Sequence, residues 1–75
     1  MEDMELHPMR RSKALEKVGY DAKTADLVVR FRSGRAYVYH QVDQEVFDGL
    51  LTSAHPWTEY HRRVLEHEYD PIEGT

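Results

Sequence analysis

The sequence predicts an α+β domain in which a three-stranded antiparallel β-meander is followed by two α-helices packed on one face of the sheet, a βββαα order. Two patterns carry this prediction. Residues 27–39 alternate around a Ser33-Gly34 break, as the strands of a β-hairpin do. After Val42 the apolar residues instead recur at helical spacing. A chain of 75 residues forms one small domain, whose stability should be only a few kcal/mol.

The first strand of the meander is predicted over residues 14–21, where Leu15, Val18 and Tyr20 are apolar among polar neighbours. Gly19 interrupts this run. A glycine inside a strand commonly marks a bulge or the close approach of another backbone, and we expect one of these here.

The turn of the hairpin allows two registers, and the register decides which side chains share a face of the sheet. A two-residue loop, Ser33-Gly34, would place Tyr37 and Tyr39 beside arginines on the outer surface. A three-residue loop that ends with Gly34 in the left-handed region, a G1 bulge, would place every large apolar side chain of the hairpin on one face. We favour the second register, because glycine adopts positive φ at the lowest cost and because the rings are then buried. The interior face would carry Leu27, Val29, Phe31, Tyr37 and Tyr39, and the outer face Val28, Arg30, Ala36, Val38 and His40.

Two helices follow the hairpin. Asp43 is a suitable N-cap for the first helix, within which Gly49 should cost about 1 kcal/mol relative to alanine. His55-Pro56 ends that helix, and Pro56 suits the first position of a second helix, which Pro71 would close. Trp57 shares the apolar stripe of the second helix, which favours a place in the core over a role as an exposed anchor for a partner.

Both ends of the chain are predicted to be tails. Residues 1–11 are polar and show no period, so a disordered N-terminal tail is expected, with residues 71–75 as a C-terminal tail. The single domain would then span residues 12–70. The N-terminus lacks the shape of a signal peptide, and no apolar run approaches the ~18 residues of a membrane span. We therefore expect a cytoplasmic protein.

Composition narrows the classes of function. There is no cysteine, so neither a disulfide framework nor a cysteine-based zinc site is available. Of the five histidines, His61 and His67 are six residues apart, a spacing that places them on opposite sides of a helix, so no metal site is expected. The serines lack patterned histidine and acidic partners, which argues against an enzyme. We expect no catalytic residues and no cofactor.

Residues 12–54 resemble the KTSC domain, a family of modules of about this size found alone in bacterial and phage proteins and at the C-terminus of some lysyl-tRNA synthetases. The resemblance rests on the order and spacing of Ser12, Val18-Gly19-Tyr20-Asp21, Leu27-Val28-Val29-Arg30-Phe31, Ser33-Gly34, Tyr37-Val38-Tyr39, Val42, Val46-Phe47 and Leu50-Leu51. It implies the α+β fold and, from the synthetase context, a suggested role in RNA binding, but it assigns no catalytic residues. The sequence departs from the family at His55-Pro56-Trp57, where members usually carry a serine and a glycine.

Two functional hypotheses follow for a non-catalytic binding module. In the first, the sheet face contacts RNA or another nucleic acid through arginines, and basic residues near the N-terminus join it. The candidate residues are Arg30, Arg32, Arg35, Arg10, Arg11, Lys13 and His40. The net charge of −4 counts against a generic polyanion binder, so a local basic face would be needed. In the second hypothesis, Val28, Val38 and Ala36 of that face bind a protein partner or a second copy of the chain.

The paired tyrosines support two interpretations of their own. Tyr37 and Tyr39 could form a stacking platform for nucleic-acid bases on the sheet surface, each stack being worth roughly 1–3 kcal/mol. Alternatively, both rings pack beneath the helices. The favoured hairpin register predicts the packed arrangement.

Overall fold

A five-stranded antiparallel sheet and two helices make up residues 5–72, the part of the chain that the computed structural model describes. The strands lie side by side in chain order. In sequence, the elements are β1 (His7–Pro8), β2 (Leu15–Asp21), β3 (Asp26–Phe31), β4 (Ala36–Tyr39), α1 (Gln44–Thr52), α2 (Pro56–Leu65) and β5 (Tyr69–Pro71). The α+β class, the central meander of β2, β3 and β4, and the two helices after it agree with the sequence prediction.

The sheet is larger than predicted, because the expected N-terminal tail contributes the edge strand β1 and the end of the predicted second helix forms the edge strand β5. In the N-terminal segment His7 pairs with Val18, and the buried Met9 donates its amide hydrogen to Glu16 O at 2.9 Å. At the other end α2 stops at Leu65, well before Pro71, and β5 pairs with β4. Strands of two and three residues are too short to show an alternating pattern. The remaining tail residues, 1–4 and 73–75, lie outside the described part of the chain.

The hairpin adopts the three-residue loop. Leu27 pairs with Tyr39 and Val29 with Tyr37, which is the favoured register. Gly34 has a φ of 101°, and its amide donates to Phe31 O at 2.9 Å, while the Phe31 amide donates to Arg35 O at 2.8 Å. The turn chemistry therefore fixed the faces of the sheet as predicted.

The β-bulge of the meander lies at Glu16 and not at Gly19, where a bulge was predicted. The pairing of β2 with β3 shifts between Leu15 and Lys17, so Glu16 is the extra residue. Gly19 stays in register and pairs with Val28. The bulge prediction at Gly19 is therefore corrected: the irregularity occurs where β2 enters the sheet, next to the turn that precedes it.

The core lies between the two helices and one face of the sheet. Tyr39 is 3% exposed, and Tyr37 and Trp57 pack against the core with part of their surface in solvent. The Trp57 ring meets the edge of Phe31 at a centroid distance of 5.3 Å, so Trp57 belongs to the core rather than standing free. The buried apolar residues at the centre are Met9, Leu15, Val18, Leu27, Val29, Tyr39, Val42, Val46, Leu50 and Val64.

We predict that Gly34→Ala destabilises the fold by about 1 kcal/mol, because an L side chain is strained at this positive φ. A Cβ at Gly34 would meet no atom within 4 Å, so the cost is conformational and not steric. Urea denaturation measures it. Gly34→Asn should lose less, since asparagine tolerates left-handed backbone better. An alanine variant as stable as the original would contradict the turn assignment.

A second prediction concerns Gly49, which the helix α1 presents to the Tyr60 ring of α2. Gly49→Ala raises helix propensity by about 1 kcal/mol, yet a Cβ there overlaps the phenol, so we expect a net loss of about 1–3 kcal/mol. In a Tyr60→Ala background the same change should become stabilising. A double-mutant cycle by urea denaturation tests this reversal of sign, and equal effects in both backgrounds would rule out the contact.

Candidate functional site

One face of the sheet is left uncovered by the helices, and we call it the open face. Its side chains follow from the alternation along each strand and from the registers between strands. The open face carries Lys17, Gly19 and Asp21 from β2, Asp26, Val28 and Arg30 from β3, Ala36 and Val38 from β4, His40 after β4, and Asp70 from β5. Tyr37 and Tyr39 lie on the opposite, covered face, as the favoured register predicted, and so do not form a stacking platform on the open face.

Of the three hairpin arginines that the sequence proposed for this surface, only Arg30 lies on the open face. Its Nε is 3.3 Å from Glu16 Oε1, so an acidic neighbour already pairs with it. Arg32 turns away toward the N-terminal segment. Its guanidinium donates hydrogen bonds to the carbonyl oxygens of Ser12 and Met9, each at 2.9 Å. Arg32 therefore holds the segment that carries β1 against the hairpin.

This anchoring gathers the remaining candidate cations at one end of the molecule. Arg32 N also donates to Ala14 O at 2.9 Å, so the β1–β2 connection and the β3–β4 turn lie together. We call residues 10–14 and 32–35 the basic end. It holds five of the ten Lys and Arg residues of the chain, Arg10, Arg11, Lys13, Arg32 and Arg35, and its two segments contain no acidic residue. The structure thus brings these cations together, but beside the sheet and not on its open face.

A concave region of about 410 Å³ lies at the basic end, where α2 begins. Arg11 and Lys13 line one side, and His55, Trp57 and Thr58 line the other. Ser12 between the two cations is buried, because its Oγ accepts the amide hydrogens of Ala14 and Leu15 and so shapes the turn. The stretch His55-Pro56-Trp57 thus faces the basic residues.

The opposite end of the open face carries a charge network that sequence reasoning did not find. His40 Nδ1 is 3.0 Å from Asp26 Oδ1, and His40 Nε2 is 2.8 Å from Asp70 Oδ2. Both ring nitrogens can donate only when the imidazole is protonated. Hydrogen bonds to Asp70 and Asp26 accordingly raise the pKa of His40 above its ordinary value. Alternation placed His40 on this face, but Asp70 lies on the unpredicted strand β5.

Residues 5–72 contain neither a cluster suited to a metal ion nor a helix suited to crossing a membrane. No cluster of three or more His, Cys, Asp or Glu side chains in that range is arranged to hold a metal ion. Neither of the described helices has the length and apolar character needed to cross a bilayer. The arrangement therefore presents two charged surfaces, the basic end and the open face.

Comparison with known proteins identifies the family. The model of the KTSC domain matches residues 11–69. This chain belongs to the KTSC domain family. A relative from Tsukamurella paurometabola, described only as "Protein", is 45% identical over 42 residues, which is 56% of this chain and 63% of that protein. The matched stretch thus covers less than two thirds of the relative.

The family match covers most of both charged surfaces of this KTSC domain. Arg11, Lys13 and Trp57 fall inside the matched residues 11–69, whereas β1 and Asp70 fall outside them. The anchoring of β1 and the Asp70 arm of the histidine network therefore involve residues outside the matched region.

We predict that the network makes stability depend on pH. Since the folded pKa of His40 is raised, its contribution is complete below about pH 6.5, the ordinary histidine value, and disappears as the pH rises through the folded pKa. NMR titration of His40 should give an imidazole pKa above the ordinary histidine value. Asp70→Asn should lower the His40 pKa and flatten the loss of stability as the pH rises above about 6.5. Identical titrations of His40 in both proteins would contradict the network.

Proposed function

We propose that this KTSC domain is a non-catalytic binding module that contacts nucleic acid, with single-stranded RNA as the first candidate, through its basic end. The observation that carries the proposal is the gathering of five of ten cations in two adjoining turns of a chain whose net charge is −4. Phosphate groups are attracted by a local positive field, whatever the total charge of the protein. The basic end supplies such a field.

The surroundings of the basic end favour a single strand over a duplex. Trp57 lines the same concave region as Arg11 and Lys13 and keeps part of its surface in solvent. Unpaired bases stack on exposed aromatic surfaces while nearby cations hold the backbone. Glu59, in the first turn of α2, accepts a hydrogen bond from the Ser53 hydroxyl, which partly satisfies this nearby negative charge.

The open face is a poorer surface for a polyanion than the sequence suggested. Asp21, Asp26 and Asp70 lie on it, and its arginine, Arg30, is paired with Glu16. A phosphate backbone laid across these carboxylates would be repelled. We therefore place the nucleic-acid contact at the end of the sheet and not on its open face. Of the basic residues that the sequence suggested, Arg10, Arg11, Lys13 and Arg35 remain candidate contacts.

The absence of catalysis is part of the proposal. Among the described residues, the hydroxyl of the buried Ser12 serves the turn and has backbone amides as its partners. His40 is occupied by two carboxylates and stands on an open sheet surface. Neither arrangement joins a nucleophile to a base. A cytoplasmic location fits a nucleic-acid ligand and a chain without cysteine.

Binding of a fluorescently labelled single-stranded RNA at low salt tests the proposal. Replacing both Arg11 and Lys13 by glutamine should weaken binding about tenfold. It should also make the slope of log K against log salt concentration shallower by about 1.4, since each phosphate contact to a single strand contributes about 0.7 to that slope. The matched control is Lys23→Gln with Arg62→Gln, which removes two exposed charges outside the basic end. Equal losses in the two double variants, or no salt-dependent binding by the unaltered protein, would overturn the proposal.

The single tryptophan provides a direct readout of the site. Because Trp57 is the one tryptophan of the chain, any change in its fluorescence reports on the concave region. RNA bound at the basic end should quench this emission in parallel with the anisotropy change. Binding that leaves the emission unchanged would place the contact elsewhere.

A further inference from the structure

We propose that the open face binds a second copy of this chain, face to face, in a two-fold pair whose axis runs across the strands along Gly19, Val28 and Val38. This surface is separate from the basic end, so the inference goes beyond the proposed function and does not depend on it. Two observations favour a second copy as the partner. One is the pattern of charge on the face, and the other is the short edge strands, which are poorly suited to pairing with another strand.

The open face is organised in three parallel rows that cross the strands. A basic row contains Lys17 and Arg30, which pair across β2 and β3. A central row contains Gly19, Val28 and Val38, which are small or apolar and paired in register, and it ends at Asp70 of β5, which pairs with Val38 and whose carboxylate lies 2.8 Å from His40 Nε2. An acidic row contains Asp21 and Asp26, with His40 beside them. The face is therefore positive on one side of an apolar line and negative on the other.

The two charged rows each set like charges directly opposite one another. Lys17 faces Arg30, and Asp21 faces Asp26, arrangements that destabilise an isolated antiparallel pair. Glu16 partly relieves the first pair, and His40 the second. Lys17 and Asp21 have no ion pair among the described residues. Each row therefore contains one residue, Lys17 or Asp21, whose charge a second sheet could pair.

A two-fold axis along the central row supplies it. Rotation about that axis keeps each strand over the same strand of the other copy but reverses its direction, so the basic row of one copy lies over the acidic row of the other. Lys17 then faces Asp21 of the second copy, and Arg30 faces Asp26. Val28 and Val38 meet their own equivalents on the axis. The basic row and the acidic row thus find opposite charge in the second copy, while Asp70, at the β5 end of the axis, meets its own equivalent with its charge paired to His40.

The sheet edges argue for this face-to-face arrangement over edge-to-edge pairing. β1 and β5 are two and three residues long, and each contains a proline, Pro8 and Pro71. Short strands with proline offer few free donors to an added strand. Self-association through the sheet is thus directed to the open face.

The size of the face predicts a weak pair. Five strands spaced about 4.8 Å apart and rows spanning about five residues cover roughly 300–400 Å² in projection. A standard stable interface takes about 800 Å² from each partner, which would be about 15% of the 5315 Å² surface of the described residues. The pair should therefore form reversibly and only at high protein concentration.

Sedimentation equilibrium from about 10 µM to about 1 mM, at low salt, measures the association. We expect a monomer–dimer equilibrium in the unaltered chain, weakened about tenfold or more by Lys17→Glu, which would set two carboxylates against each other across the interface. Because the same change relieves the Lys17–Arg30 opposition within one copy, the denaturation midpoint should be maintained or raised. This separates lost association from lost folding.

The decisive variant is the exchange of both charges, Lys17→Glu with Asp21→Lys. The two positions are about 13 Å apart along one strand and cannot pair within a copy, but they face each other in the two-fold pair. Association should therefore return to the level of the unaltered chain. A strict monomer at 1 mM, or association unaffected by Lys17→Glu, overturns the proposal, as does failure of the exchange to restore it. None of these outcomes bears on RNA binding at the basic end.

Discussion

The left-handed glycine of a single turn determines which side of this small sheet is dry. With Gly34 at positive φ, the loop between β3 and β4 takes three residues, and Val29 and Leu27 are set opposite Tyr37 and Tyr39. A slip of one residue would exchange these side chains with their neighbours on the other face. Two helices suffice to cover one face only. The register therefore decides both what the core contains and what the open face presents.

Cationic and acidic side chains collect at opposite ends of the sheet. The end of the sheet near the Gly34 turn collects cations, because Arg32 ties that turn to the carbonyl oxygens of Met9 and Ser12. The far end carries Asp26, His40 and Asp70. This polarity gives a chain of net charge −4 a positive surface at the basic end, where nucleic-acid contact is proposed. On the open face the same gradient is the basis of the proposed pairing with a second copy.

Sequence reasoning succeeded where a pattern extends over several residues and failed where it does not. The hairpin, its register and the starts of both helices follow from alternation, from Gly34 and from Pro56. The edge strands β1 and β5 are too short to show a period, and their pairing depends on contacts distant in sequence. The candidate site residues were predicted less well for the same reason. Arg32 was proposed as a ligand-binding residue before its carbonyl partners were visible, and the His40 network requires Asp70 from an unpredicted strand.

Nuclear Overhauser effects between α-protons across β3 and β4 test the register most directly. In the observed pairing Val28 and Val38 form a non-hydrogen-bonded pair, whose α-protons lie close together, as do those of Arg30 and Ala36. The observed register therefore predicts strong nuclear Overhauser effects between the α-protons of Val28 and Val38 and between those of Arg30 and Ala36. Strong effects between Val29 and Val38 and between Phe31 and Ala36, the non-hydrogen-bonded pairs of the alternative register, would reveal the two-residue loop, and the assignment of both faces would then be wrong.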